Sequence, residues 1–237
     1  MDTLTTIVLC TLGAGLAMPA GALLAAIEHI RPHWLEKEFR HSVLAFGAGV
    51  LLSAVALVLV PEGIKHQAVI PAALWFIAGG FGFMLLDIIL KKANTPASQL
   101  AAMLADFIPE SVALGAAFSA DPNTAILLAG IIALQNLPEG FNAYRELNPS
   151  GGSKWRLIIS FSAMAPLGPA AGLVGYVWLQ QQPVIVSAMM LFAAGGILYS
   201  VFQDMAPQVK LARHWGPPMG TVLGFMLGMA GFMLAHQ

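Results

Sequence analysis

Apolar residues dominate the chain in runs near 4–27, 42–64, 69–90, 98–119, 123–145, 156–180, 184–205 and 217–235. A helix crosses the hydrocarbon core of a bilayer in about 20 residues. The pattern therefore predicts eight transmembrane α-helices and an all-α polytopic fold. The stretches between the runs are short and rich in turn formers or charge: EHIRPHWLEKEFRH, EGIKHQAVIP, KKANTPAS, SADPNT, ELNPSGGSKWR, QQQP and VKLARHWGPP. None is long enough for a soluble domain, so residues 1–237 read as a single transmembrane domain. Two runs break their own rule. LADFIPESVALG, in the fourth, carries Asp106, Pro109 and Glu110, and IALQNLPEGFNAYRE, in the fifth, carries Gln135, Asn136, Pro138 and Glu139.

Composition agrees with a membrane protein. Of 237 residues, 58% are hydrophobic and 10% charged, against about 25% charged in soluble domains. Mean hydropathy is +0.77. A net charge of −1 predicts no nucleic-acid partner. Cys10 is the one cysteine, which leaves no intrachain disulfide and no thiolate metal cluster. The first ten residues, MDTLTTIVLC, lack the basic start of a signal peptide and read as the start of the first helix.

Lys and Arg set the expected orientation. Arg31, Lys37 and Arg40 fall in the first connection, Lys91 and Lys92 in the third, Arg145, Lys154 and Arg156 in the fifth, Lys210 and Arg213 in the seventh. Only Lys65 lies on the other side. The odd-numbered connections are thus expected in the cytoplasm and both termini outside. Gly79, Gly80 and Gly82, and Gly220, Gly224 and Gly228, read as packing positions, because small residues let membrane helices approach closely.

Charges within a bilayer are costly and mark function by default. A proline removes one backbone donor and clashes with the carbonyl four residues earlier. Pro109 is expected to free the carbonyl of Ala105, and Pro138 that of Leu134. Asp106 and Glu110 are four apart and share a helix face, as do Gln135 and Glu139. The short SADPNT turn makes the two helices antiparallel neighbours. Together they bring Asp106, Glu110, Gln135 and Glu139 to one point: four oxygen donors, three of them acidic. A divalent cation would offset most of that repulsion; without one, a carboxyl would be protonated. The plainer alternative is a set of polar contacts between helices. Elsewhere, Glu62 and Asp87 read as interfacial charges. Gln203 and Asp204 read either as an exit-side relay or as a solvated helix end. All six histidines are expected in connections or tails. His29, His33 and His41, with Glu28, Glu36 and Glu38, read as a solvated segment with weak metal-binding capacity at most.

These motifs resemble the ZIP family of divalent metal transporters. Gln135-Asn136-Leu137-Pro138-Glu139-Gly140 is close to the family's fifth-helix pattern, and Asp106-Phe107-Ile108-Pro109-Glu110-Ser111 is a looser version of the fourth. FGAGVLLSAVALVLVPEG is similar to the family's second helix, SAMAPLGPAAGLVG to its sixth and AAGGILYSVFQDMAPQ to its seventh. The resemblance implies an inverted repeat of helices one to three and six to eight, with broken helices four and five carrying the metal. It implies uptake of zinc, iron or manganese by alternating access, in a bacterial cytoplasmic membrane, without a cofactor. Assembly as a homodimer is left open.

The sequence also departs from the family. Asp106 stands where the family has His, Phe107 where it has Asn, and Ala165 where a Glu commonly precedes the helix-six proline. Two groups of a second metal position are thus missing. The resemblance then implies a single metal held by Asp106, Glu110, Gln135 and Glu139, with Asn136 as a weak extra ligand. An all-oxygen set also suits manganese, magnesium or calcium, so the preferred metal stays open. Enzymes are disfavoured: no H-E-x-x-H and no G-x-S-x-G occurs. Two rival readings remain, a proton-coupled carrier of another small solute and a non-transporting metal sensor.

Overall fold

The computed structural model describes residues 2–27, 33–93, 96–148, 153–179, 181–209 and 215–235. They form eight helical spans. α1 is Thr3–Ile27. α2 runs through His33–Ala54, a π turn at Val55–Leu59 and Val60–Ile64. α3 is Val69–Ala93, α4 Pro96–Ala120 and α5 Pro122–Leu147. α6 comprises Lys154–Met164 and Leu167–Leu179; α7 comprises Pro183–Ser200, a π turn at Val201–Met205 and Ala206–Val209. α8 is Gly216–Ala235. Seven spans are long and apolar enough to cross a membrane by composition. The eighth, α4, has 25 residues and carries Asp106, Pro109 and Glu110.

Most helix limits fall within a few residues of the apolar runs, but α2 begins at His33 rather than near 42. Leu35, Glu36, Lys37, Glu38 and Arg40 are all good helix formers, so the helix extends into the charged stretch. His33 and His41 are therefore helical and not in a loop. Arg31, Lys210, Arg213, Glu28, His29, His214 and His236 lie outside the described residues.

The prolines do not break α4 and α5. Each helix is continuous through Pro109 or Pro138, since one missing N–H removes one bond of the ladder and its neighbours hold. The irregular turns lie elsewhere. α6 is interrupted at Ala165 and Pro166. The π turns of α2 and α7 end two residues before Pro61 and Pro207. A wider turn there makes room for the proline ring, which would otherwise strike the carbonyl four residues back.

Packing divides the spans into two groups of four. α1 lies along α5 and α6, and α4 along α5 and α6. In the other group α2 lies along α8, and α3 along α7. Exchanging α1 with α6, α2 with α7, α3 with α8 and α4 with α5 maps this pattern onto itself, as an inverted repeat requires. The paired π turns of α2 and α7 obey the same exchange.

Glycine makes these pairings close. A Cβ on Gly21 would collide with the Leu137 carbonyl, and one on Gly140 with the Met18 carbonyl. α1 and α5 thus touch backbone to backbone at reciprocal glycines. α4 and α6 do the same through Gly115 and Gly175, α2 and α8 through Gly49 and Gly224, α3 and α7 through Gly79 and Gly195. Without Cβ atoms the Cα–H groups can approach carbonyl oxygens, which gives weak hydrogen bonds where no hydrophobic driving force acts between helices.

Candidate metal site

Asp121 is the whole connection between α4 and α5. Its carboxylate caps α5, accepting from the backbone N–H of Asn123 at 3.0 Å and of Thr124 at 3.3 Å, and Pro122 follows at the first helical position. An Asp cap followed by proline is a favoured helix start. The tight turn holds α4 and α5 antiparallel, and so brings Asp106 and Gln135 to nearly the same depth, with Glu110 nearer the turn and Glu139 farther from it.

The motifs sit where the two helix groups meet. Pro138 rests against Gly47 of α2. Pro109 faces α7 across an apolar groove that Ala188, Met189 and Phe192 also line. Nearby, Phe39 of α2 meets Phe141 of α5 edge-on, with ring centres 6.2 Å apart.

Asp106, Gln135 and Glu139 line one cavity of about 310 Å³, many times the ~30 Å³ that one water occupies in the liquid. Glu110 stands behind it, 2% exposed. The Gln135 amide nitrogen donates to both Glu110 carboxylate oxygens, at 2.6 and 2.7 Å. Gln135 Oε1 and Asp106 Oδ1 are buried and have no hydrogen-bond partner. Asn136 is buried too, but its amide nitrogen donates to the Ala14 carbonyl at 2.9 Å and ties α5 to α1. Among the described residues, no three His, Cys, Asp or Glu side chains form a group that would hold a metal by themselves. Neutral oxygens must therefore contribute to any cation shell here.

The cavity extends toward the helix ends that carry the basic connections. There it is bordered by Asp87 and Lys91 of α3 and by Asp204 and Gln208 of α7. Lys91 Nζ lies 2.9 Å from Asp87 Oδ2 and 3.5 Å from Asp204 Oδ1. The Tyr199 hydroxyl also donates to Asp87, at 3.2 Å. Asp87 thus lines the cavity mouth. Asp204 lies on the same path, whereas Gln203 is exposed and not among the lining residues. Glu62 is at the opposite end, paired with Lys65 at 2.5 Å.

On α5, one polar lining residue has no counterpart in the motif reading. Asn142 follows Glu139 by three and Gln135 by seven, on one helix face. Its signal was that spacing alone, since it lies outside the x-Pro-Glu pattern.

Comparison with known proteins supports the same conclusion. No curated protein matches the sequence. The family model described as ZIP Zinc transporter matches residues 95–236, which takes in α4 to α8 with both x-Pro-Glu motifs and leaves α1 to α3 outside the match. Eight helical spans, two matched intramembrane motifs and this match make the protein an integral membrane transporter, not an enzyme, and the chain belongs to the ZIP zinc transporter family, whose membership implies transport of divalent metal ions.

Proposed function

We propose that the protein carries zinc, iron or manganese toward the cytoplasm through a single-ion site between α4 and α5. Residues 1–237 act as one transporter domain in this reading. The observation that carries it is the convergence of Asp106, Gln135 and Glu139 on one cavity, with Glu110 held behind Gln135. Asp106 and Glu139 supply charge at the cavity wall. Gln135 supplies a neutral oxygen, and rotation of its amide would release Glu110 to the cation. Asn136 is a lesser contributor, because its amide is engaged with α1.

The two helix groups provide the moving parts. The site belongs to the α1, α4, α5, α6 group, and the cavity wall opposite belongs to α2, α3 and α7. A displacement of one group against the other would close this cavity and open the site to the opposite face. The smooth contact of Pro138 on Gly47 suits such sliding. The cavity reaches the end bearing the basic connections, so by the charge rule it is a release path into the cytoplasm.

The test is uptake of zinc, manganese, iron, cadmium and magnesium into proteoliposomes. Removing one charge from a buried, mutually dependent set costs roughly 3–5 kcal/mol. Glu110→Gln and Glu139→Gln should each lower uptake by at least about a hundredfold. Glu62→Gln removes only a half-exposed pair and should leave it near the wild-type rate. Unchanged uptake in both core variants would remove the site from consideration.

A further inference from the structure

Asn142 is 8% exposed, and its side-chain nitrogen has no hydrogen-bond partner. It nevertheless lines the cavity that Asp106, Gln135 and Glu139 share. A buried amide left without a partner is uncommon and unfavourable. A purely structural asparagine in this place would be bonded to a neighbouring helix, as Asn136 is to Ala14. Asn142 instead is a lining residue of the cavity whose buried nitrogen is bonded to no neighbouring helix. A half-turn about the terminal bond exchanges the nitrogen for the carbonyl oxygen with little change of shape.

Its position adds a direction. Three residues at 1.5 Å each place Asn142 about 4.5 Å beyond Glu139 along the axis of α5. That step leads toward the end bearing Arg145, and so toward Asp204, Lys91 and the cavity mouth. Among the described residues no three acidic side chains group closely enough to hold an ion, so a neutral oxygen at this point is chemically useful. Divalent cations such as manganese or magnesium take six oxygen ligands readily. A carbonyl donates to the ion without adding the charge that would trap it.

Building on the single-ion reading, we infer that Asn142 is a further cation ligand, the first neutral station on the path from Glu139 to the cavity mouth. It receives the ion as Asp106 and Glu139 release it, and its neutrality keeps departure fast. The isosteric Asn142→Asp change would add a charge at this station and hold the ion there. Asn142→Leu would remove the oxygen.

The experiment is manganese and zinc uptake by full-length protein in proteoliposomes, resolved into KM and maximal rate, with Glu139→Gln measured alongside. Asn142→Asp should lower KM and maximal rate together, each by about tenfold, the equivalent of one tenfold step in binding. Asn142→Leu should raise KM by about the same factor. A merely structural role would not produce opposite shifts of KM in the two variants. If Asn142→Asp folds and keeps wild-type KM and rate, the assignment is overturned, whatever Asn142→Leu does. Loss of uptake in Glu139→Gln would then keep the site reading in place, whereas wild-type uptake in Glu139→Gln would overturn both.

Discussion

Phe107 shows how a residue can shape a candidate site without lining its cavity. The family pattern has an amide at this position; here the ring is fully buried. It points toward α1 and α6, where a Cβ on Gly15 or Gly168 would collide with it, and buried Ala165 lies beside Gly15. The ring thus fills space between helices and offers no donor. A second cation next to the first would need its own anionic ligands, and neither Phe107 nor Ala165 supplies one. We expect one metal per chain, counted by elemental analysis of the purified protein after equilibrium loading, and two per chain would refute the single-ion site. The packing role has a separate test. Phe→Ala in a core costs roughly 3–5 kcal/mol, so Phe107→Ala should lower the melting temperature markedly even where uptake by the remaining folded protein persists.

At the level of helices, the reciprocal glycines decide how the site is held. Gly140 follows Glu139 directly and lies against the Met18 carbonyl of α1. This contact fixes the depth and rotation of α5, and with them the aim of Glu139. A larger residue must push the two backbones apart, and overpacking costs typically about 1–3 kcal/mol where neighbours can yield. Here the obstacle is backbone, which yields poorly. Gly140→Leu should therefore cut the yield of monodisperse protein on size exclusion severalfold. Gly130, on the same helix, has nothing within 4 Å of an added Cβ. Gly130→Ala should behave as wild type or slightly better, because alanine favours helix over glycine by about 1 kcal/mol. Equal behaviour of Gly140→Leu and wild type would show that the α1–α5 contact does not hold the site.

For the molecule as a whole, orientation rests on charge, and the cavity adds a reason to measure it. With Cys10 replaced by serine, an impermeant thiol reagent on intact cells should label a cysteine placed at Gln237. One placed at Ser153 should react only after permeabilisation. Labelling at 153 and protection at 237 would reverse the orientation, and the cavity described here would then open outward. Under the expected orientation the two groups of four helices form a unit whose open side faces the cytoplasm, with Lys91 spanning Asp87 and Asp204 at the mouth.

The sequence by itself determined the number and order of the spans. Each apolar run must satisfy its own backbone in the bilayer, and only a helix of about 20 residues does so. It also made a meeting of the two motif faces an expectation, from i, i+4 spacing and a short turn; the structure brings Asp106, Gln135 and Glu139 to one cavity and sets Glu110 behind Gln135. Tertiary structure decided what spacing cannot express. Whether Pro109 and Pro138 end a helix depends on the neighbours that hold it, and here both helices run on. Asn136 and Asn142 are both buried amides on α5. Residues six apart on a helix point in different directions, so the first meets the Ala14 carbonyl and the second the cavity. Asp87 and Asp204 are far apart in the chain, and only the packing of α3 on α7 puts both beside Lys91 at one opening.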